Sequence, residues 1–146
     1  MIIIMSIIFS LNVFTYQNEE VKFDDQQKSI FIYFKDPYCH KCAVDLSVLL
    51  KYEKVNIVYY IKNLEDYRAK ASIFSDLNKM FVNKEILFTN TDSDKINKYN
   101  PFLEITFDGK SKIFHYKDIF EDDLRNSFKK EFIKSLKDDH GLKLKE

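Results

Sequence analysis

Both cysteines of the chain stand in one short stretch, Tyr38-Cys39-His40-Lys41-Cys42. Ahead of them runs an apolar segment of strand length, Ile30-Phe31-Ile32-Tyr33-Phe34, and then Lys35-Asp36-Pro37. A C-x-x-C at the first turn of a helix sets the second sulfur one turn above the first, close enough for a disulfide or for two bonds to a metal. The unpaired N–H groups and positive dipole end of a helix start favour an anion, so Cys39 can persist as a thiolate near neutral pH. Cys42, one turn deeper, is more shielded. His40 when protonated, together with Lys41, adds positive potential that favours the Cys39 thiolate further.

The neighbouring sequence supplies elements that can hold such a pair. Residues 29–34 form a continuous β-branched and aromatic run, as in a central strand covered on both faces, and Asp36-Pro37 ends it. From 38 to about 54, Cys42, Leu46, Leu49 and Leu50 line one helical face, and residues 56–61 read as a second buried strand, which makes a β-α-β crossover. Tyr67, Ala71, Phe74, Leu77 and Phe81 mark a second helix over 64–82, followed by a short strand at 85–89 and a polar connection to residue 99. Residues 101–110 open on Pro101, close on the turn residue Gly109 and pair with 112–116 as a hairpin. A last helix over 118–137 carries Phe120, Leu124, Phe128, Phe132 and Leu136 along one side. The expected architecture is α/β, a central mixed β-sheet flanked by helices.

Composition narrows the classes of function. At 146 residues the chain suits one domain. Lys plus Arg and Asp plus Glu both number 23, mixed along the chain, so nothing marks a nucleic-acid surface. Residues 1–16 contain no charge and form an apolar run that a soluble surface would not display, so this stretch reads as a signal peptide or membrane anchor. The alternatives are a buried first strand or helix of the domain, or a start at Met5. Residues 17–27 read as a polar lead-in in which Val21 and Phe23 can pair on a sheet edge, and 139–146, with His140, as a flexible tail.

Strand, C-x-x-C at a helix start, strand, helix, a Pro opening the next strand, a hairpin and a closing helix together resemble the thioredoxin fold over residues 28–138. The segment 85–99 looks more like the exported TlpA-like and peroxiredoxin-like branches, and the stretch Phe34 to Cys42 resembles the active-site stretch of small exported thiol oxidoreductases. The pattern as a whole is most similar to exported TlpA-like proteins and small thiol-disulfide oxidoreductases. This resemblance implies that Asn100-Pro101 is a cis peptide beside the disulfide, where Asn100, Pro101 and Tyr38 bind an extended client. It implies thiol–disulfide exchange in which Cys39 attacks, a mixed disulfide forms and Cys42 resolves it. The redox-active disulfide Cys39–Cys42 is then the only cofactor, with no metal. The implied partners are exported protein thiols and a redox protein that recharges the site. The expected location is periplasmic or membrane-associated in an oxidising compartment, with a possible tether through residues 1–16, and the expected state a monomer.

Departures from that pattern concern the proton. His40-Lys41 replaces the Gly-Pro of thioredoxin, Tyr38 replaces a Trp, and Tyr33 stands where thioredoxins bury an acid. That removes the expected general base, a role left to Glu104, water or another carboxylate. Other uses of the cysteines stay open: a non-catalytic thioredoxin-fold binding module, or copper or other metal delivery. Zinc would need two further ligands, and His115 and His140 lack zinc-motif spacing, whereas Cu(I) could use the sulfurs alone or with one His. A peroxidase reading is poor, because Asp36 occupies the position at which peroxiredoxins place a Thr.

Overall fold

The computed structural model of the chain describes residues 11–24, 26–51, 54–92, 101–108 and 110–117. Ser29–Phe34 (β2) is buried at every position, as its unbroken apolar run requires. It lies inside a six-stranded sheet of order β1-β4-β3-β2-β5-β6. The other strands are Val13–Phe14 (β1), Val55–Tyr60 (β3), Ile86–Thr89 (β4), Phe102–Phe107 (β5) and Lys110–His115 (β6). β2, β3 and β4 run parallel, with Ile32 opposite Ile57 and Ile57 opposite Ile86. β5 is antiparallel to β2, placing Phe102 across from Tyr33, and β6 is antiparallel to β5. The order β6-β5-β2-β3, with a helical crossover between the parallel pair, is the mixed sheet of a thioredoxin-like fold.

Parallel neighbours need crossover connections, and these carry the helices. His40–Leu46 (α1) links β2 to β3, while Leu64–Ala69 (α2) and Ala71–Met80 (α3) link β3 to β4. Leu46, Leu49, Phe74, Leu77 and Phe81 from these connections pack on Ile30, Ile32 and Phe34, and Cys42 belongs to the same core. The opposite face of the sheet gathers Val13, Phe31, Tyr33, Val58, Leu87 and Phe102, with Val21 and Phe23 packed against them. The second helical layer expected from residues 118–137 lies outside the described residues, as do residues 1–10, Asn100 and the tail with His140.

Several boundaries differ from the sequence-based expectation, each for a local reason. The first helix, expected to reach about residue 54, is α-helical only to Leu46 and tightens into a 3-10 turn over Ser47–Lys51. There the Ser47 hydroxyl donates to the Val44 carbonyl at 2.6 Å, and a side chain that bonds its own backbone competes with the helical ladder. The helix expected over 64–82 breaks at Lys70, whose φ of −107° and ψ of 20° leave the helical basin. Ala71, expected on its apolar face, is exposed.

The largest difference concerns the apolar leader. Val13 and Phe14, assigned above to a segment ending at residue 16, form the edge strand β1 against β4, and Val13 is 2% exposed. A turn through Asn18, at φ 64°, returns the chain so that the Val21 N–H donates to the Val13 carbonyl at 2.9 Å. Phe23 then meets Phe31 edge-on, with centroids 4.9 Å apart. The sheet therefore begins inside the apolar run, and the lead-in belongs to the fold. Its apolar residues were the signal, since a charged segment that keeps Val21 and Phe23 has something to bury.

Candidate active site

Strand β2 delivers the chain to the C-terminal end of the parallel strands, where a turn feeds α1. Cys39 is the N-cap of that helix, with an extended backbone at φ −113° and ψ 101°. Its Sγ accepts the Cys42 N–H at 3.1 Å, so the sulfur occupies the place of a capping oxygen. Cys39 and Cys42 are disulfide-bonded with Cα atoms 5.2 Å apart. Cys42 is 6% exposed within the core beside Ala43 and Leu46, whereas Cys39 is only partly covered. His40 and Lys41, which follow in the first turn, are both exposed.

Two carboxylate-centred clusters hold the turn around Cys39. Asp36 and Pro37 are joined by a cis peptide bond. The Asp36 carboxylate accepts the Tyr59 hydroxyl at 2.6 Å and the Lys70 ammonium at 2.8 Å, and Lys70 also bonds Asp66 at 2.6 Å. The break between α2 and α3 is where Lys70 turns towards β2. Burial, followed by the bond to Asp36, raises the Tyr59 phenol well above its usual range. Burial alone would lower the Lys70 ammonium, but its bonds to Asp36 and Asp66 outweigh this and raise it.

The second cluster centres on Asp76 of α3, one oxygen of which accepts the Tyr38 hydroxyl and lies 2.6 Å from His40 Nδ1. The residues on either side of Cys39 are thus tied to one carboxylate. Those bonds, Tyr38 first and His40 second, hold the Asp76 carboxyl below the usual range. Burial, then the bond to Asp76, pushes the Tyr38 phenol up. On the other side of α1, the Tyr116 hydroxyl donates to Asp45 and ties the helix to the end of the β5–β6 hairpin.

Pro101 is buried and its carbonyl accepts the Tyr116 N–H at 3.2 Å. Because Phe102 faces Tyr33 across the β2–β5 ladder, Pro101 falls level with Phe34, at the sheet end from which the cysteine turn departs. Asn100, and with it the expected cis bond to Pro101, lies outside the described residues.

The sheet alternation corrects one expectation. Leu103 and Ile105 belong to the face that carries α1, so Glu104 between them points to the other face with Phe102. Tyr33 is there too, stacked on Phe102 at 4.4 Å. Burial, then the nearby Glu104 carboxylate, keeps the Tyr33 phenol well above its usual range. Neither residue underlies Cys42, so Glu104 does not replace the missing acid. His115 lies opposite Phe102 on β6 and shares its face, away from the sulfurs. Among the described residues, no three His, Cys, Asp or Glu side chains are grouped so that they could hold a metal ion.

Asp36, Tyr59, Asp66, Lys70 and Asp76 were not singled out as site residues. Sequence marks Asp36 as a strand terminator and as the residue in place of the peroxiredoxin Thr, and Asp76 sits on the polar side of an amphipathic helix, where sequence does not show which partner it faces.

The sequence matches no protein-family model and has no significant match among curated proteins. Among solved structures, the chain is similar to the mitochondrial 2-Cys peroxiredoxin from Plasmodium falciparum, at 13% identity and a TM-score of 0.43, over 85% of this chain and 89% of that one. It is also similar to a secreted Mycobacterium tuberculosis disulfide oxidoreductase homologous to E. coli DsbE, at 17% identity and a TM-score of 0.42, over 71% and 81% of the two chains. The chain's own strand order and its helix-capping cysteine pair define a thioredoxin-like protein with a C-x-x-C disulfide. Thiol–disulfide chemistry is what that pair can do.

Proposed function

We propose that this protein is a thiol–disulfide oxidoreductase acting on exported protein clients. One observation carries the reading: the disulfide joins a partly exposed helix N-cap sulfur, Cys39, to a core sulfur, Cys42. A purely structural bond more often closes a long loop, because that constrains the unfolded chain most. Here the bond spans a sequence separation of 3 and contributes little in that way. The accessible sulfur suits attack or being attacked, and the shielded one suits resolution of a mixed disulfide.

In the reducing direction, Cys39 thiolate attacks a client disulfide, the client sulfur leaves with the bonding electron pair, and Cys42 then displaces Cys39 from the client. Oxidation of a client dithiol is the reverse path. His40 and Lys41 favour the thiolate electrostatically, and Tyr38, Pro101 and Asn100 form the client surface. The disulfide itself is the only cofactor in this reading, and a separate redox protein recharges a monomeric enzyme. The uncharged segment ahead of β1 supports export or tethering, with the catalytic domain in an oxidising compartment.

Replacing Cys42 with Ala tests the proposal. The Cys39 thiolate of the variant should attack client disulfides and accumulate as mixed disulfides that no Cys42 resolves, visible by mass and released by reductant. In graded glutathione buffers the wild-type pair should equilibrate between roughly −270 and −120 mV. Partners retained without any covalent adduct would mark a non-catalytic binding module instead, and a bond more stable than about −300 mV a structural disulfide.

A further inference from the structure

Exchange requires a proton to move as each sulfur becomes nucleophile or leaving group, yet among the described residues the sheet beneath the disulfide offers no acid. Tyr33 and Glu104 both face the opposite side. The titratable groups near Cys39 lie instead towards solvent. His40 follows it directly, with its side chain 59% exposed, and its Nδ1 is 2.6 Å from Asp76 Oδ2. Asp76, at 27% side-chain exposure, projects from a different helix and also receives the Tyr38 hydroxyl. The remaining charges on these elements are Lys41 and Asp45 of α1, the latter bonded by the Tyr116 hydroxyl, and Lys79, which acts on Asp76 from α3.

Resting on the exchange reading, we propose that His40 is the general base and acid at the client sulfur, with Asp76 as the positioning residue that holds it. An ionised carboxylate only accepts hydrogen bonds, so the short contact requires a proton on Nδ1. In the neutral ring, Nε2, across from Asp76, is then left as the proton acceptor. The missing buried acid is replaced from the outside, by a carboxylate–imidazole pair flanking Cys39.

The step balances as follows. A client thiol gives its proton to His40 Nε2 while its sulfur attacks Cys39 Sγ. The client–Cys39 bond forms, the Cys39–Cys42 bond breaks, and the electron pair goes to Cys42 as thiolate. A second client thiol attacks the client sulfur of the mixed disulfide, and Cys39 leaves with that bonding pair. The two protons lost by the client end on Cys39 and Cys42, one of them by way of the imidazolium. The client dithiol is oxidised to a disulfide and the enzyme disulfide is reduced to a dithiol. In the reverse direction the imidazolium protonates the departing client thiolate.

The test uses the full chain, with dithiothreitol as the attacking dithiol and the rate of loss of the Cys39–Cys42 bond followed from pH 5.5 to 8. Without a base, the rate follows the thiolate fraction and falls about tenfold per pH unit. The wild-type rate should fall less steeply, because neutral thiol also reacts. His40→Gln preserves a hydrogen bond to Asp76 but cannot relay a proton, and should restore the tenfold slope with a rate at pH 6 at least about tenfold lower. Asp76→Asn should steepen the slope, and Asp76→Glu should recover part of the wild-type profile, which a merely structural role would not produce. A wild-type slope of tenfold per unit, or an unchanged slope in H40Q, overturns the role of His40. An unchanged profile in D76N overturns the role of Asp76. A wild-type protein that never exchanges with protein thiols brings down the exchange reading and this proposal together, whereas exchange with an insensitive H40Q brings down only this one.

Discussion

Tyr33 of β2 and Tyr59 of β3 are both buried, on opposite faces of the sheet, and their hydroxyls meet different fates. The Tyr59 hydroxyl donates to Asp36, whereas the Tyr33 hydroxyl has no hydrogen-bond partner among the described residues. A buried polar group without a partner costs about 1–3 kcal/mol, and an apolar residue of the same shape avoids that cost. Tyr33→Phe is therefore expected to raise stability by about 1 kcal/mol, read from the urea midpoint at unchanged slope. Its exchange rate should stay at the wild-type value, since Tyr33 faces away from the disulfide. A slower variant would show that this phenol does reach the cysteines.

At the scale of elements, the interruption between α2 and α3 matters most. At the break Lys70 reaches Asp36 of the cysteine turn, while its bond to Asp66 of α2 is an i,i+4 pair of the kind any helix allows. The Lys70 and Asp66 side chains are 13% and 19% exposed, so their bond is only weakly screened, whereas Asp36 at 48% is more open to solvent. Lys70→Met should cost about 2 kcal/mol at pH 7, measured by urea unfolding. The sign with pH follows from the shifts. A raised Lys70 contributes fully below its unfolded value of about 10.5 and is lost as pH rises through the higher folded value. Burial pushes the Asp66 carboxyl up, but the bonds from Lys70 and the Lys62 N–H prevail and lower it. Its contribution is present above about pH 4 and lost as pH falls through the depressed folded value. The gap between wild type and K70M should be constant from about pH 5 to 9 and shrink towards pH 2. A gap that persists unchanged at pH 2 would mean that Lys70 acts through its aliphatic stem.

For the whole molecule, the instructive region is where the apolar leader meets the sheet. β1 covers the open side of β4 and buries Val13, so the sheet uses residues that also look like the end of an export signal. A chain starting at Leu11 keeps β1 and serves as the reference. A chain starting at Gln17 should lose about 2 kcal/mol from Val13 alone and expose the β4 edge to pairing with other chains. Thermal unfolding with light scattering compares the two, and equal midpoints would make β1 dispensable. No described helix is long and apolar enough to cross a membrane. Fractionation of the full-length chain against the Leu11 form measures membrane tethering directly.

The sequence by itself determined the frame. Continuous burial marked β2, the C-x-x-C marked a helix start, and a proline and a turn bracketed the β5–β6 hairpin, because each signal is local and comes from backbone geometry or one buried face. Asp108, at φ 51° in that turn, shows the same local logic. Only the tertiary structure decided which polar groups meet. Nothing near residue 76 announces that Asp76 receives both Tyr38 and His40, and nothing near residue 70 shows that Lys70 leaves its helix for Asp36. The strand alternation that sends Glu104 away from Cys42 likewise needs the β2–β5 register. Apolar patterning is written along the chain because every buried face must satisfy it, whereas a hydrogen bond between distant residues is specified only once the packed core has brought their elements together.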